Sequence, residues 1–243
     1  MQVKKSATPK TKMQTTMKQL VIFDLDGTLL NTVGDIAAAT NHALTTLGHP
    51  TRTVEEIKSF VGNGINKLFE RALPEPYKTE ENVLRMRAAF IPYYNEHGTE
   101  KTVPFPGVVT LLERLQASGK LLAVASNKYQ QATQALVRHF FPTIRFVAVL
   151  GQRDGIAVKP DPSIVEEIRR EARVERDEIL YVGDSGVDMQ TAINAQVEAV
   201  GVTWGCRPRQ ELQKFNPCWI VDTAEEIAAI LQPAAKILAR STT

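Results

Sequence analysis

The chain has 243 residues, of which 43% are hydrophobic and 23% charged, so it can bury a packed core and does not have a disordered composition. Its 29 Lys and Arg nearly balance 27 Asp and Glu, giving a net charge of +2 with scattered basic residues, which excludes the electrostatic footprint of a nucleic-acid or anionic-membrane binder and leaves a small substrate. No apolar run approaches the roughly 18 residues of a membrane span, and two cysteines, Cys206 and Cys218, are too few for a disulfide scaffold, so a cytoplasmic monomer or homodimer is expected.

Residues 1–18 are rich in Lys and Thr, hold no acid and lack the apolar stretch of a secretory signal; a flexible tail is expected there. From Gln19 the text changes. Leu20-Val21-Ile22-Phe23 is a short continuous apolar run, the pattern of a parallel strand buried on both faces. Residues 32–102 contain no such run and read as helix throughout. Thr32-x-x-Asp35 and Thr53-x-x-Glu56 have the form of capping boxes, and Val83, Met86, Phe90 and Tyr94 step by three, four and four along one helical face. Pro104-Phe105-Pro106-Gly107 marks the return from this segment. Further strands are expected at Leu121–Ala125, Phe146–Leu150, Ile179–Val182 and Ala199–Val202, with helices ending near Gly119 and starting near Asp161-Pro162. Strands alternating with helices predict an α/β fold, a Rossmann-like parallel sheet over 19–31 and 103–243, with an all-helical cap inserted over 32–102. The basic run from Lys236 to Arg240 reads as a solvated helix face.

The chemistry is written where the strands end. The first ends in Asp24-Leu25-Asp26-Gly27-Thr28, the second in Ser126-Asn127-Lys128 and the late one in Gly183-Asp184-Ser185-Gly186-Val187-Asp188. Open α/β sheets bind ligands at the carboxyl ends of their strands, so these loops are expected to share one crevice. Two carboxylates about 4 Å apart repel by roughly 4 kcal/mol at an effective dielectric near 20, so such a cluster takes up protons or a cation. Oxygen ligands without a nearby His or Cys select a hard cation, Mg²⁺, which shares its shell readily with phosphate.

Asp24-x-Asp26-Gly27-Thr28, Ser126, Lys159-Pro160 and Gly183-Asp184-x-x-x-Asp188 resemble, in this order, the motifs of the haloacid dehalogenase superfamily over the chain from about Gln19 onward. Asp35–Ala39, Val61-Gly62-Asn63-Gly64, Gly183-Asp184-Ser185 and Gly201–Gly205 are similar to stretches of its phosphoglycolate phosphatases, whereas Asn31 stands where that family usually carries Asp. The resemblance implies a Mg²⁺-dependent phosphomonoesterase with Asp24 as nucleophile, Asp26 as general acid and base, Ser126 and the Asn127 backbone as phosphoryl donors, and Lys159 as the neutralising cation. It implies metal held by Asp24, the Asp26 carbonyl and Asp184, with Asp188 orienting the site or holding a metal-bound water. Gly27, Thr28, Asn63, Gly64, Ser126, Asn127 and Lys159 are expected to line the substrate, 2-phosphoglycolate, with Lys67 as a further donor.

Each piece also has a plainer reading. Ser126 and Lys159 taken singly are loop residues, Asp188 also suits a helix cap, and Gly62-Asn63-Gly64 is a helix-breaking turn as well as a lid. His42, His49, His97 and His139 show no metal or triad spacing. A receiver-like phosphorylated binding module would lack the second Asp two residues on, and a dehalogenase proper would not need Asp26, because a halide leaves without a proton. β-Phosphoglucomutases, pyrophosphatases and phosphonoacetaldehyde hydrolases share the implied core and differ mainly in the cap.

Overall fold

The computed structural model describes residues 17–232. In chain order it runs β1 (Leu20–Phe23), β2 (Leu30–Asn31), α1 (Val33–Thr46), α2 (Val54–Phe60), α3 (Ile65–Ala72), α4 (Glu80–His97), β3 (Val103–Pro104), α5 (Val108–Ala117) and β4 (Leu121–Tyr129). It continues with α6 (Gln130–Phe140), β5 (Ala148–Gln152), α7 (Ser163–Ala172), β6 (Ile179–Gly183), α8 (Gly186–Ala195), β7 (Glu198–Val202), α9 (Arg209–Gln213), β8 (Trp219–Val221) and α10 (Ala224–Leu231). Six strands form one sheet in the order β5-β4-β1-β6-β7-β8, and every pairing in it is parallel. The α/β, Rossmann-like class follows from that order.

The sheet explains why its strands are apolar without alternation. Successive side chains point to opposite faces. Val21 and Phe23 join Leu122, Val124, Leu180 and Val182 in a cluster completed by α5, α6 and α10. Leu20 and Ile22 join Ala123, Ala125, Ile179 and Tyr181 under α7 and α8. With helices on both faces, neither set can be polar.

The chain leaves the sheet at β2 and returns at β3, which pair antiparallel, Leu30 opposite Pro104 and Asn31 opposite Val103. Between them α1–α4 bury Ile36, Leu44, Ile57, Phe69, Met86 and Phe90 in a cluster of their own, joined from the sheet side by Tyr129 and Ala132. The buried residues of α4 are Val83, Met86, Phe90 and Tyr94, the face given by their spacing. Thr53 and Glu56 form a reciprocal capping box.

Several expectations differ from what is seen. The tail expected over 1–18 lies outside the described residues up to position 16, as does the basic run at 236–240. Lys18, placed in that tail, is buried: its ammonium donates to the Asp177 carbonyl at 2.7 Å and lies 3.1 Å from Glu198. The strand expected at Leu121–Ala125 runs on to Tyr129 with a register irregularity after Ala125, so Ser126, Asn127 and Lys128 sit in a distorted strand and not beyond it. The strand expected at Phe146–Leu150 is shifted to Ala148–Gln152, and β2, β3 and β8 are too short to carry a sequence signal.

Thr32-x-x-Asp35 does not form a capping box. Thr32 adopts helical angles (φ −100°, ψ −3°) and makes no cap hydrogen bond, so its hydroxyl turns to Asp26 Oδ1 at 2.6 Å. Asp35 is buried and accepts from the Lys101 N–H (3.0 Å), the Thr102 N–H (2.8 Å) and the Thr102 hydroxyl (2.7 Å), fastening the start of α1 to the returning chain. Asp35→Ala leaves the buried Thr102 N–H without its acceptor, at a cost of roughly 1–3 kcal/mol, and frees the part-buried Lys101 N–H to water. The variant is expected to unfold at a clearly lower urea midpoint than wild type, and an unchanged midpoint would show that the clamp adds nothing.

Candidate active site

β1 lies between β4 and β6, where the strand order reverses, and the carboxyl ends of these three strands face one crevice. Asp24 follows β1 directly: its N–H continues the ladder to the Val182 carbonyl at 2.9 Å, and its Oδ1 accepts from the Leu25 N–H at 2.7 Å. Lys159, almost fully buried, puts Nζ 3.0 Å from Asp24 Oδ1, 2.7 Å from Asp188 Oδ1 and 2.9 Å from the Ala125 carbonyl. Asp188 carries two loads. Its Oδ2 completes the capping box of α8 with the Ser185 hydroxyl (2.6 Å) and N–H (3.1 Å), while Oδ1 takes the ammonium, so cap and site roles coincide. Asp184 Oδ2 accepts from the Cys206 N–H at 2.6 Å, and its Oδ1 from the Thr28 hydroxyl at 3.3 Å.

Asp24, Asp184 and Asp188 are all buried, and each offers a carboxylate oxygen within 4.8 Å of the others. Burial, followed by the charge of Asp188, pushes Asp184 up to about 7. The same two causes in the same order hold Asp24 well above the usual carboxylate range against the pull of Lys159. Burial opposes the charge on Lys159, but Asp188 and Asp24 together hold its ammonium well above an ordinary lysine. Three carboxylates around one ammonium are short of positive charge, and an oxygen-only donor set of this kind fits a hard divalent cation. Gly27, at φ +86°, is required by this packing, because a Cβ there would fall 2.4 Å from Asp184 Oδ2.

Asp26 stands in front of the cluster. Thr32 holds its Oδ1, and the Lys128 ammonium reaches both oxygens at 3.0 and 3.1 Å. Ser126 is buried, and its Oγ accepts from the Lys128 N–H at 3.2 Å. The Asn127 side chain brackets Lys159, accepting from its N–H at 2.9 Å and donating to its carbonyl at 3.1 Å, and also reaches the Gly62 carbonyl at 3.0 Å.

Asp24, Asp26, Ser126, Asn127, Asp184 and Ser185 border a cavity of about 60 Å³. Its other side is apolar, made by Ile36, Val61, Ile65, Leu68 and Phe90 with Gly62 and Gly64 between them. Lys159 and Asp188 do not border it and act on Asp24 from behind. Gly27 and Thr28 also stand back from it, packed against Asp184. Asn63 does not border this cavity: its side-chain oxygen accepts from Arg71 Nη2 at 2.9 Å beside an outer groove. Lys67 pairs with Glu70 at 2.6 Å on the surface. Gly64 does face inward, at φ +85°, with Gln152 Oε1 where a Cβ would lie 3.1 Å away.

Lys128, Tyr129, Cys206 and Arg207 also border the cavity, and none was assigned a role there from the sequence. Lys128 had a local signal, since it directly follows Ser126-Asn127 at the end of a buried strand. Arg207 had none, because its partners are far off in the chain: Nη1 donates to the Lys58 carbonyl at 3.2 Å, and Nη2 to those of Ser59 (3.0 Å) and Val61 (2.6 Å). These are free carbonyls at the end of α2, a natural guanidinium site. Burial and then the charge of Asp184 push the Cys206 thiol up to about 12, so it stays protonated.

Residues 21–202 match the model of the haloacid dehalogenase-like hydrolases. The phosphoglycolate phosphatase of Psychrobacter arcticus is 33% identical over 206 residues, 82% of this chain and 90% of that one. That of Haemophilus influenzae strain 86-028NP is 32% identical over 222 residues, 89% of this chain and 99% of the relative. Among solved structures, a predicted phosphoglycolate phosphatase from Haemophilus somnus 129pt superposes with a TM-score of 0.83 at 30% identity, covering 91% of this chain and all of that one. With a matching family model over most of its length, relatives of this identity and the same fold, the chain belongs to the haloacid dehalogenase-like hydrolase family.

Proposed function

We propose that the protein is a magnesium-dependent phosphoric monoester hydrolase of the cytoplasm that works through a phosphorylated Asp24 and prefers 2-phosphoglycolate. The observation that carries this reading is the pairing of Asp24 and Asp26 on one cavity: Asp24 backed by a buried ammonium 3.0 Å away, and Asp26 held by Thr32 and Lys128 two residues on. Phosphoglycolate phosphatases at 30–33% identity support the substrate.

Asp24 attacks phosphorus to form an acyl phosphate, which splits one hard displacement into two easier ones. Asp26 gives a proton to the departing ester oxygen and then takes one from the attacking water, work worth roughly 10²- to 10⁴-fold in rate. The Ser126 hydroxyl, whose oxygen already accepts from the Lys128 N–H, has its own hydrogen left for a phosphoryl oxygen. The Asn127 backbone is the second such donor. Lys159 offsets charge on nucleophile and phosphoryl group alike, the main task in phosphoryl transfer. Asp188 keeps Lys159 in place. Mg²⁺, held by the Asp24 and Asp184 carboxylates and the Asp26 carbonyl, would neutralise the remaining charge of cluster and phosphate. The apolar cap residues keep bulk water from the acyl phosphate.

Removing divalent metal is expected to abolish activity, and Mg²⁺ to restore it; full turnover in excess chelator would refute the metal assignment. A second readout needs no turnover. Asp184, raised to about 7 in the fold against an ordinary value of 3.8, holds a proton that the unfolded chain has lost. Metal-free stability should therefore fall as pH rises from about 4 through about 7. Added Mg²⁺ is expected to raise the melting temperature more at pH 8 than at pH 5.5, and an equal rise at both would count against ligation by Asp184.

The covalent step is tested by quenching during turnover, trapping the acyl phosphate with borohydride or hydroxylamine, and mass spectrometry of the Asp24 peptide. A trapped adduct is expected on Asp24, and Asp24→Asn is expected to lose at least about 10³-fold in kcat. No adduct on Asp24 while substrate is being turned over would mean direct attack by water.

A further inference from the structure

Three positive charges approach the cavity, and two of them have a settled task. Lys159 serves Asp24 from behind, and Arg207 is anchored on the far side by three of its five N–H groups, which go to carbonyls at the end of α2. The third, Lys128, is nearly buried and borders the cavity directly, on the Asp26 side. Burial opposes its charge, but Asp26 keeps it an ammonium, well above the ordinary lysine value. An ammonium has three N–H groups. The two oxygens of Asp26 account for its hydrogen bonds at 3.0 and 3.1 Å, and its remaining neighbour is Tyr94, whose ring face lies 4.7 Å from Nζ and whose hydroxyl also interacts with the ammonium. Apart from the Tyr94 side chain, nothing among the described residues takes the third donor, and a carboxylate in the cavity is the stronger acceptor.

Position gives that donor a use. Asp26 must reach the ester oxygen of the leaving group. In an ester of a 2-hydroxy acid the carboxylate carbon is attached to the carbon bearing that oxygen, so a cation bonded to Asp26 is within reach of it. The facing wall, Ile36, Ile65, Leu68 and Phe90, has no side-chain donor for the hydroxyls of a sugar and none for a carboxylate. A carboxylate placed there without a cation would be left desolvated and unpaired, whereas one meeting Lys128 makes a charge-assisted hydrogen bond.

We propose that Lys128 is the specificity-determining residue of this site: it binds the carboxylate of a short 2-hydroxy acid leaving group while it holds Asp26 on the ester oxygen. The inference rests on the phosphomonoesterase reading above and replaces Asn63 and Lys67 as the source of the donor.

The test compares 2-phosphoglycolate with 2-hydroxyethyl phosphate, in which a neutral CH₂OH stands in for the carboxylate, for wild type, Lys128→Met, Lys128→Gln and Lys128→Arg. Melting curves verify folding, and Lys128→Gln carries the test if Lys128→Met does not fold. Wild type is expected to prefer 2-phosphoglycolate. In the neutral variants the ratio of kcat/KM values should fall roughly 10- to 100-fold, the worth of one hydrogen bond to a charged group, and Lys128→Arg should keep part of it. Calorimetry on Asp24→Asn with and without Lys128→Met should show the same selective loss in Kd. A residue that only positions Asp26 would lower both substrates alike and leave the ratio and the Kd selectivity intact, which would overturn the proposal while the phosphatase reading stands. No preference in wild type would overturn both this assignment and the choice of 2-phosphoglycolate.

Discussion

Everything at this site depends on one buried lysine shared among carboxylates. Lys159 lies 2.7 Å from Asp188 and 3.0 Å from Asp24, and Asp184 completes a set of three acids within 4.8 Å with too little positive charge between them. Such a cluster costs free energy in an apolar interior and persists only where the surrounding fold over-determines it. Here the sheet does so. Each acid is attached to the carboxyl end of a buried parallel strand or to the helix that follows one, and the strands are locked by ladders and by helices on both faces. The charge deficit is the property that makes the place suited to a cation and a phosphate.

The helical insertion is tied to that cluster by short links. Arg207 binds the last carbonyls of α2, while its neighbour Cys206 gives its N–H to Asp184, so adjacent residues of one loop touch the cap and a candidate metal ligand. Asn127 does the same from the other side, bracketing Lys159 and reaching the Gly62 carbonyl. Tyr129 belongs to the hydrophobic cluster of the insertion and donates its hydroxyl to Asn95 at 2.7 Å. Moving the cap therefore disturbs the acids through backbone and side-chain hydrogen bonds, without a long relay.

The two halves of the cavity differ in kind. The sheet side is polar and charged, fitted to a group common to all phosphate esters, while the cap side is apolar and small, which leaves little room for a large or hydroxylated leaving group. Selectivity in such a site falls to the few polar atoms at the seam, where Lys128 and Asp26 meet.

Local sequence determined the buried runs of β1, β4, β6 and β7, the capping box at Thr53 and Glu56, and the buried face of α4, because each rests on residues near one another in the chain. It also named Asp24, Asp26, Asp184 and Asp188, since polar residues that end buried strands stand out against apolar text. Tertiary structure decided what depends on distant partners. Thr32 and Asp35 have the letters of a capping box, yet Asp26 and the Lys101–Thr102 backbone claim them first. Asn63 sits in a suitable turn, but Arg71 one helix on takes its oxygen. Arg207 meets carbonyls almost 150 positions away, and Lys128 meets Asp26 across 102. A hydrogen bond is decided by where the fold sets two groups in space, and over such separations only the packed sheet and its inserted helices fix that.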